Sequence, residues 1–224
     1  DAVERLTLEK GETAAAAGAQ AVGTLLDNGV HSGDLVMDDL LNPIYTKIHF
    51  PGISVEYPRY HTQFDSFFDT HGIQAIEDAI LHSSTDLIYS VGSDKNAYVP
   101  VTHSEYSEPP TGDVAHDRQK SRSKRKFDRQ DKDAMQLAAS AYLGKEPLVQ
   151  IYHRDTGDNA WDVSVPIWVN KQHFGAFRVG VRMDQIAAHK RDLIIQLSEQ
   201  FGILTILLIG FIFIMVHLAM RKLN

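Results

Sequence analysis

Cysteine is absent from the 224-residue sequence, and this absence excludes several kinds of site. Without a thiol there is no disulfide framework, no cysteine-based zinc site, no cysteine nucleophile and no covalently attached c-type haem. The motifs GxSxG and HExxH and a glycine-rich phosphate loop are also missing. The 11 histidines are scattered, and no two of them lie three or four positions apart. We therefore expect that the protein is not an enzyme, and we predict no metal site.

Positive charge is also scarce, and it is distributed unevenly. The chain has 22 basic and 29 acidic residues, and the last 24 residues carry only Arg221 and Lys222. The first 200 residues therefore hold 20 basic and 29 acidic residues, a net charge of −9. Because so acidic a domain repels phosphate groups, the sequence predicts no nucleic-acid partner. The apolar fraction of 43% is sufficient for a hydrophobic core and argues against a disordered chain.

One long apolar run stands apart from this composition. Residues 201–220, FGILTILLIGFIFIMVHLAM, contain no Asp, Glu, Lys or Arg. As a helix they span about 30 Å, the thickness of the hydrocarbon core of a bilayer. A buried core helix is the alternative, but the length and the lack of charge favour a transmembrane helix in contact with lipid.

The flanks of this run indicate its orientation. Arg221 and Lys222 follow it directly, and the positive-inside rule then places the C-terminus in the cytoplasm and residues 1–200 outside. No signal peptide is visible at the start of the sequence. An exported domain needs a signal peptide or an earlier membrane span, so we expect a first membrane segment to precede residue 1.

Helical patterns occupy the first half of the sequence and one later stretch. Residues 3–28 lack proline, are rich in helix-forming residues and present a stripe of small side chains suited to packing on a partner helix. Further helices are predicted over 34–49, over 59–82 with a break near Gly72, and over 134–144. Residues 50–58 are predicted to form a loop, and residues 104–133 a loop with one short helix.

Strand patterns predict an antiparallel sheet of about five strands. Residues 86–92 and 97–103 flank a polar turn and are predicted to form a hairpin. Three further strands are predicted over 148–155, 161–170 and 173–183, joined by turn-forming residues. Residues 161–170 alternate between apolar and other side chains, as a half-buried strand does. Together with the helices, this order predicts an α+β fold whose last helix continues into the membrane.

Four ordered strings carry a family resemblance over about residues 58–184. They are PRYHTQFDSFFD, YVPVTHSEYSEPPTGD, RSKRKFD and QIYHRDTGDNAWDVSVPIWVNKQHFGAFRVGV. This region resembles the extracytoplasmic sensor region of bacterial methyl-accepting chemotaxis receptors, whose domain has the PAS-like fold called Cache. Relatives commonly have Gly in place of Lys171 and Trp in place of Phe174, and both changes are compatible with the same fold.

The resemblance implies a division of the chain. A long helix over 1–33 is followed by a Cache-like sensor domain over 34–184, a juxtamembrane helix over 185–200, the transmembrane helix over 201–220 and the start of a cytoplasmic segment over 221–224. It also implies a homodimer in the bacterial inner membrane and cytoplasmic signalling partners bound by regions beyond this chain. Some relatives carry c-type haem, which the lack of cysteine excludes here, while non-covalent haem stays open and no cofactor is expected.

Seven residues are candidates for binding a small-molecule ligand. Tyr60 and His61 begin the aromatic helix, and His61 either helps to start that helix or projects into a ligand cavity. His103 ends a predicted strand beside the long loop, where pockets are often formed. Arg125 belongs to a run of basic residues. Either this run forms a solvated face, or Arg125 turns inward and binds a carboxylate ligand. The remaining candidates are Arg154, Trp161 and Asp162. Asp162 either binds an amine in a pocket or pairs with Arg154 across the strands, and core packing is the alternative for Trp161.

For three further residues the sequence predicts a position but no role. Trp168 and Phe177 are predicted to pack in the core or in an interface, with an apolar cavity as the alternative. Arg178 interrupts the apolar pattern of the last strand, which predicts a position at the exposed edge of the sheet or at the rim of a pocket.

The sequence therefore predicts a transmembrane chemoreceptor whose periplasmic domain binds a small molecule and transmits a helix shift across the membrane. One alternative is a structural or partner-binding membrane subunit that retains the sensor fold without a ligand. A membrane-anchored enzyme is the other alternative, and no catalytic motif supports it.

Overall fold

The computed structural model of the chain describes residues 2–129, 133–153 and 159–221. The chain divides into two compact units, Asp1–Met183 and Asp184–Asn224. The first unit contains helices and an antiparallel sheet, and the described part of the second is one helix. The predicted α+β class is thereby confirmed, as are the long N-terminal helix and the apolar C-terminal helix.

The helices have the following bounds. They are α1 (Ala2–Ser32), α2 (Met37–Leu41), α3 (Asp65–Thr70), α4 (Ile73–Leu81), a 3-10 helix (Ser104–Tyr106), α5 (Val114–Lys120), α6 (Ala134–Ser140) and α7 (Asp184–Arg221). The predicted helix over 59–82 is wrong at its start, where the chain forms a strand. Its break is confirmed, because Gly72 has φ of 81° in the left-handed region between α3 and α4. Of the helix predicted over 34–49 only α2 forms, and the helix predicted from residue 134 ends at Ser140.

The strands form one main sheet and two short ribbons. They are β1 (Thr46–Lys47), β2 (Tyr60–His61), β3 (Leu87–Asp94), β4 (Tyr98–Val99), β5 (Arg125–Lys126), β6 (Leu148–His153), β7 (Asn159–Val169) and β8 (Gln172–Arg182). The main sheet has the order β3-β8-β7-β6, and each neighbouring pair is antiparallel. The ribbons pair β1 with β2 and β4 with β5.

The prediction of a five-stranded sheet is wrong because the first hairpin does not form. The strand predicted over 97–103 is reduced to β4, which pairs with β5, while β3 pairs with β8. Two local features turn the chain out of the main sheet. Ala97 has φ of 58°, and the carboxylate of Asp94 accepts the backbone N–H of Tyr98 instead of leaving it for a strand partner. Pro100, which follows β4, has no N–H to donate to a further hydrogen bond between strands.

The hairpin turn between β7 and β8 forms where the sequence predicts it. Asn170 and Lys171 both have positive φ, 46° and 64°, and two such residues form the turn type whose twist matches the flanking strands. Asn tolerates this conformation, and Lys171 adopts it as well. Phe174, in β8, is fully buried in the core.

Helix α1 packs directly on the sheet, over β7 and β8. Its buried face contacts these strands and also α4. Ala17 of the small-residue stripe is exposed, and the packing of this stripe on a partner helix stays a prediction. Gly11, Gly18 and Gly23 allow this close approach, because a Cβ on Gly18 would lie 2.2 Å from the Phe177 ring. Phe177 is fully buried, which confirms its prediction as a core residue, whereas Trp168 is 45% exposed.

A buried carboxyl group lies between α4 and the sheet. Glu77 of α4 is fully buried, and its Oε1 accepts the backbone N–H of Gly92 at 2.8 Å. Its Oε2 has no hydrogen-bond partner among the described residues. Burial raises the pKa of Glu77 well above the usual glutamate value, so folding favours the neutral form of this group.

Stability should therefore fall as the pH rises because of Glu77. The unfolded chain ionises this group at the usual glutamate pKa, whereas the folded chain must keep the proton up to the raised pKa, so stability is lost between these two values. We expect Glu77→Gln to be more stable than the wild type at pH 8 by on the order of 1 kcal/mol, with the difference vanishing near pH 4. Urea unfolding at both pH values measures this, and equal pH dependence in the two proteins would contradict it.

Helix α7 makes up the described part of the second unit. Within the described residues, Arg191–Ile212 form a helical segment that is long and apolar enough to cross a membrane. This segment overlaps the run predicted over 201–220. The match rests on length and composition, and it is the structural basis for the membrane assignment proposed below.

Candidate functional site

The two faces of the main sheet carry different layers. The face that packs against α1 and α4 presents Val163, Ile167 and Phe177 to the hydrophobic core. The opposite face, here called the cavity face, contacts α6. Since side chains alternate along a strand, Asp162 lies on the cavity face of β7 and Arg178 on the cavity face of β8. Strand β7 was predicted to be half-buried, and this is wrong because Asp162, Ser164 and Pro166 are buried as well.

A cavity of about 40 Å³ lies against the cavity face. Polar side chains on its wall come from strands, from α6 and from the segments around the 3-10 helix and α5: Tyr89, Thr102, His103, Tyr106, Arg122, Gln136, Tyr152 and Arg178. Apolar side chains complete the wall: Val91, Val99 and Phe127. This volume has room for about three water-sized groups, so the cavity suits a small ligand and is too small for haem.

Arg178 is the most deeply buried cation of the wall, with 2% of its surface exposed. Its Nη2 donates to Asp162 Oδ1 at 2.7 Å, and its Nε donates to the same oxygen at 3.0 Å. Burial opposes the charge on Arg178, but the neighbouring Asp162 outweighs it, and the pKa of Arg178 is raised. The hydroxyl of Tyr89 donates to Asp162 Oδ1 at 2.5 Å. Burial first, and then the charge of Asp162, raise the pKa of Tyr89, so this hydroxyl keeps its proton.

Gln136 joins this ion pair to α6 and to the edge strand. Arg178 Nη1 donates to Gln136 Oε1 at 3.1 Å, and Gln136 Nε2 donates to the hydroxyl of Tyr152 at 3.0 Å. The N-terminal end of α6 is held by Asp133, whose carboxylate accepts a bond from Arg129 Nε at 2.9 Å. The side chains around Arg178 are thus held in position by hydrogen bonds from three strands and one helix.

The other side of the cavity is formed by two short helical segments. His103, which is 1% exposed, precedes the 3-10 helix, and its ring lies 4.4 Å from that of Tyr106. Arg122 follows α5, and its Nη1 donates to the backbone oxygen of Arg118 at 2.8 Å. The N-terminus of α5 is capped by Asp113, whose side chain accepts the N–H groups of the next turn.

The structure brings some of the sequence candidates to this cavity and leaves others elsewhere. His103 lines it, and Asp162 lies behind the wall as the partner of Arg178. Tyr60 and Trp161 pack against the hydrophobic core, and His61 is exposed on β2. Arg125 is buried on β5, where its guanidinium stacks 3.9 Å from the Tyr57 ring centre. Arg154 lies outside the described residues.

The sequence predicted Arg178 either at the exposed edge of the sheet or at the rim of a pocket. The exposed edge is wrong, whereas Arg178 does line the cavity. Strand β8 is a central strand, and Arg178 lies between Val91 of β3 and Ser164 of β7. Gln136, Tyr89 and Tyr152 were missed altogether. The only local signal was a charge in an otherwise apolar strand, and its meaning depends on the position of the strand in the sheet.

A larger cleft of about 380 Å³ lies elsewhere on the first unit, and its charged groups already have partners. Lys124 Nζ is 2.8 Å from Asp69 Oδ1, and Arg59 donates to the hydroxyl and the backbone oxygen of Ser121. This cleft is also more open to solvent than the cavity. The cavity on the sheet is therefore the better candidate for a ligand site.

Comparisons with known proteins add no assignment, because no family model and no curated protein matches the chain. In the described ranges no group of three or more His, Asp or Glu side chains is placed to hold a metal ion. The expectation that the protein uses no cofactor stays a prediction.

Proposed function

We propose that the protein is a transmembrane receptor whose first unit binds a small molecule in the cavity on the sheet, and that it is not an enzyme. The observation that carries the proposal is the position of Arg178. This buried cation lines the cavity, and it lies on the strand that leads directly into α7, since β8 ends at Arg182 and α7 begins at Asp184. The strand that carries the proposed ligand-binding residue and the helix that would transmit the signal are thus adjacent in the chain.

A ligand that contacts Arg178 would act on β8. In the proposed mechanism it favours one of two arrangements of the sheet, and the change is passed on as a small displacement of α7. A ligand that binds both arrangements equally well produces no signal, so the two affinities must differ. The rigid hydrogen-bond network around Arg178 supports this role, because it ties the ligand site to β3, β7 and α6.

The proposed cellular setting is the bacterial inner membrane, with residues 1–200 in the periplasm. Arg191–Ile212 supply an apolar helix of sufficient length, and Arg221 and Lys222 supply positive charge on the side assigned to the cytoplasm. The resemblance to chemotaxis receptors with Cache domains supports the same setting, a homodimer and cytoplasmic signalling partners. The net charge of −9 outside the membrane run supports the absence of a nucleic-acid partner.

One observation favours a second candidate, a structural or partner-binding membrane subunit without a ligand. The cavity encloses only about 40 Å³, and four aromatic side chains form part of its wall: Tyr89, Tyr106, Phe127 and Tyr152. A sensor fold whose pocket had filled with side chains would have these features. The two candidates differ in whether any solute binds.

A thermal-shift experiment on the whole 224-residue chain in detergent tests ligand binding. The probes are amino acids, organic acids, sugars, amines and haem. We expect one class of solute to raise Tm by about 5–10 °C at a concentration near 100 times its Kd. No rise with any class would contradict the receptor proposal and favour the ligand-free subunit.

A labelling experiment tests transmission to α7. Because the sequence has no cysteine, Leu193→Cys creates a single reactive thiol on α7. In lipid nanodiscs, the binding solute should change the rate at which a polar maleimide reacts with this thiol. Ala17→Cys, on the exposed side of α1, serves as the control for direct effects of the solute on the reagent. An unchanged rate at Leu193→Cys in the presence of a bound solute would contradict transmission.

A further inference from the structure

Arg178 has donors that the surrounding protein does not use. A guanidinium group has five N–H donors. In the described residues, Asp162 accepts from Nε and from one N–H of Nη2, and Gln136 accepts from one N–H of Nη1. One N–H on each terminal nitrogen is left without an acceptor there. The side chain is 2% exposed and lines the cavity, so a group inside the cavity is the available acceptor.

The charges around the cavity favour a negative ligand. Two guanidinium groups, those of Arg178 and Arg122, are on the wall, and Asp162 lies behind Arg178 rather than on the wall. Within the described part of the chain, no carboxylate lines the cavity. An ammonium ligand carries only donors and cannot accept the remaining N–H groups of Arg178, whereas an anion accepts them and is attracted by the guanidinium.

The size and the remaining walls limit the anion further. The volume of about 40 Å³ admits only a few non-hydrogen atoms. Val91, Val99 and Phe127 supply an apolar part of the wall, which suits a short hydrocarbon group. The two terminal nitrogens of a guanidinium lie in one plane, and a carboxylate matches them with its two oxygens.

We propose that the cavity binds a short-chain monocarboxylate, whose oxygens accept hydrogen bonds from the terminal nitrogens of Arg178 and whose apolar end contacts Val91, Val99 and Phe127. Asp162 acts as a positioning residue, because it holds Nε and Nη2 of Arg178 and so sets the direction of the remaining N–H groups. This inference rests on the proposed function and specifies the ligand of the same site.

Titration calorimetry on the whole chain in detergent tests the class of ligand directly. The probes are acetate, propionate and pyruvate, the neutral isosteres acetamide and propionamide, and ethylammonium. We expect the carboxylates to bind and their amides to bind roughly 10- to 100-fold more weakly, because an amide loses one charge-assisted hydrogen bond. Equal or tighter binding of an amide or of ethylammonium would overturn the carboxylate assignment and leave the receptor proposal standing. No binding of any carboxylate at millimolar concentration would also overturn it.

Arg178→Lys tests the geometry of the site while keeping its positive charge beside Asp162. Lysine cannot present two coplanar N–H groups, so we expect carboxylate affinity to fall roughly 10- to 100-fold. The matched control is Arg118→Lys, because Arg118 also binds a carboxylate with its terminal nitrogen, at 3.0 Å from Glu56, but does not line the cavity. The carboxylate affinity of Arg118→Lys should equal that of the wild type.

Two results of the variant comparison would contradict the proposal. One is unchanged carboxylate affinity in folded Arg178→Lys, and the other is an equal loss in both variants. If Arg178→Lys does not fold, the affinities of the wild type for carboxylates and for amides test the proposal instead. The receptor proposal itself fails only when no solute of any class shifts Tm, so the two failures are distinguishable.

Discussion

Replacing Asp162 with asparagine should lower the free energy of unfolding by about 3–5 kcal/mol, the usual cost of removing one partner of a buried ion pair. Asp162 is fully buried and accepts from Arg178, Tyr89 and the hydroxyl of Ser164. Asparagine leaves the charge of Arg178 uncompensated in the protein interior. It also turns an amide N–H2 group toward donors that need an acceptor.

Urea unfolding followed by tryptophan fluorescence measures this loss. The two tryptophans of the sequence, Trp161 and Trp168, both lie on β7, so their emission reports on the sheet that contains Asp162. The double variant Asp162→Asn, Arg178→Gln should recover most of the loss, because it removes the unpaired charge. The exposed pair of Glu56 with Arg118 is the control, and Glu56→Gln should leave the unfolding curve unchanged. A small effect of Asp162→Asn would show that the pair is solvated in solution.

Replacing Gly18 with leucine is also expected to lower the free energy of unfolding, by about 1–3 kcal/mol. A Cβ at Gly18 would lie 2.2–2.5 Å from three carbon atoms of the Phe177 ring. This ring is fully buried between α1 and the sheet, so it cannot move aside without repacking the core. The helix must then move away from β8, and the contacts on both sides of Gly18 are weakened.

Ala17→Leu is the matched control, because it adds a leucine to the exposed side of the same helical turn. Leucine is a good helix former, so this variant should be as stable as the wild type. The same fluorescence-detected urea unfolding compares the two. Equal stability of Gly18→Leu and Ala17→Leu would contradict the packing of α1 on Phe177.

The elements that depend on local patterns were predicted well from the sequence. The three strands β6, β7 and β8 lie within two residues of their predicted starts and ends over the described residues, because turn-forming residues and alternating side chains mark them. The long helix α1 and the break at Gly72 were predicted for the same reason. Errors occurred where a local pattern was compatible with two structures, as for α2 and β4, which are much shorter than predicted.

The candidate site was predicted in part. His103 and Asp162 were named as ligand residues, and the structure places one on the cavity wall and the other behind it. Tyr60, His61 and Trp161 were also named, yet Tyr60 and Trp161 pack against the hydrophobic core and His61 is exposed on β2. Arg178 was placed at a pocket rim only as one of two alternatives, and Gln136 was not recognised. The two residues are 42 positions apart in the sequence and meet only through α6 and β8.

The amino-acid sequence by itself determined what this protein cannot contain and where its main elements lie. The lack of cysteine excludes covalent haem and disulfides, and the uncharged run after residue 200 specifies an apolar helix. Only the tertiary structure decided that β8 lies between β3 and β7, and this position makes Arg178 a buried cation instead of an exposed one. The physical reason is that burial and pairing depend on strand order and register, which are set by contacts between residues far apart in the chain.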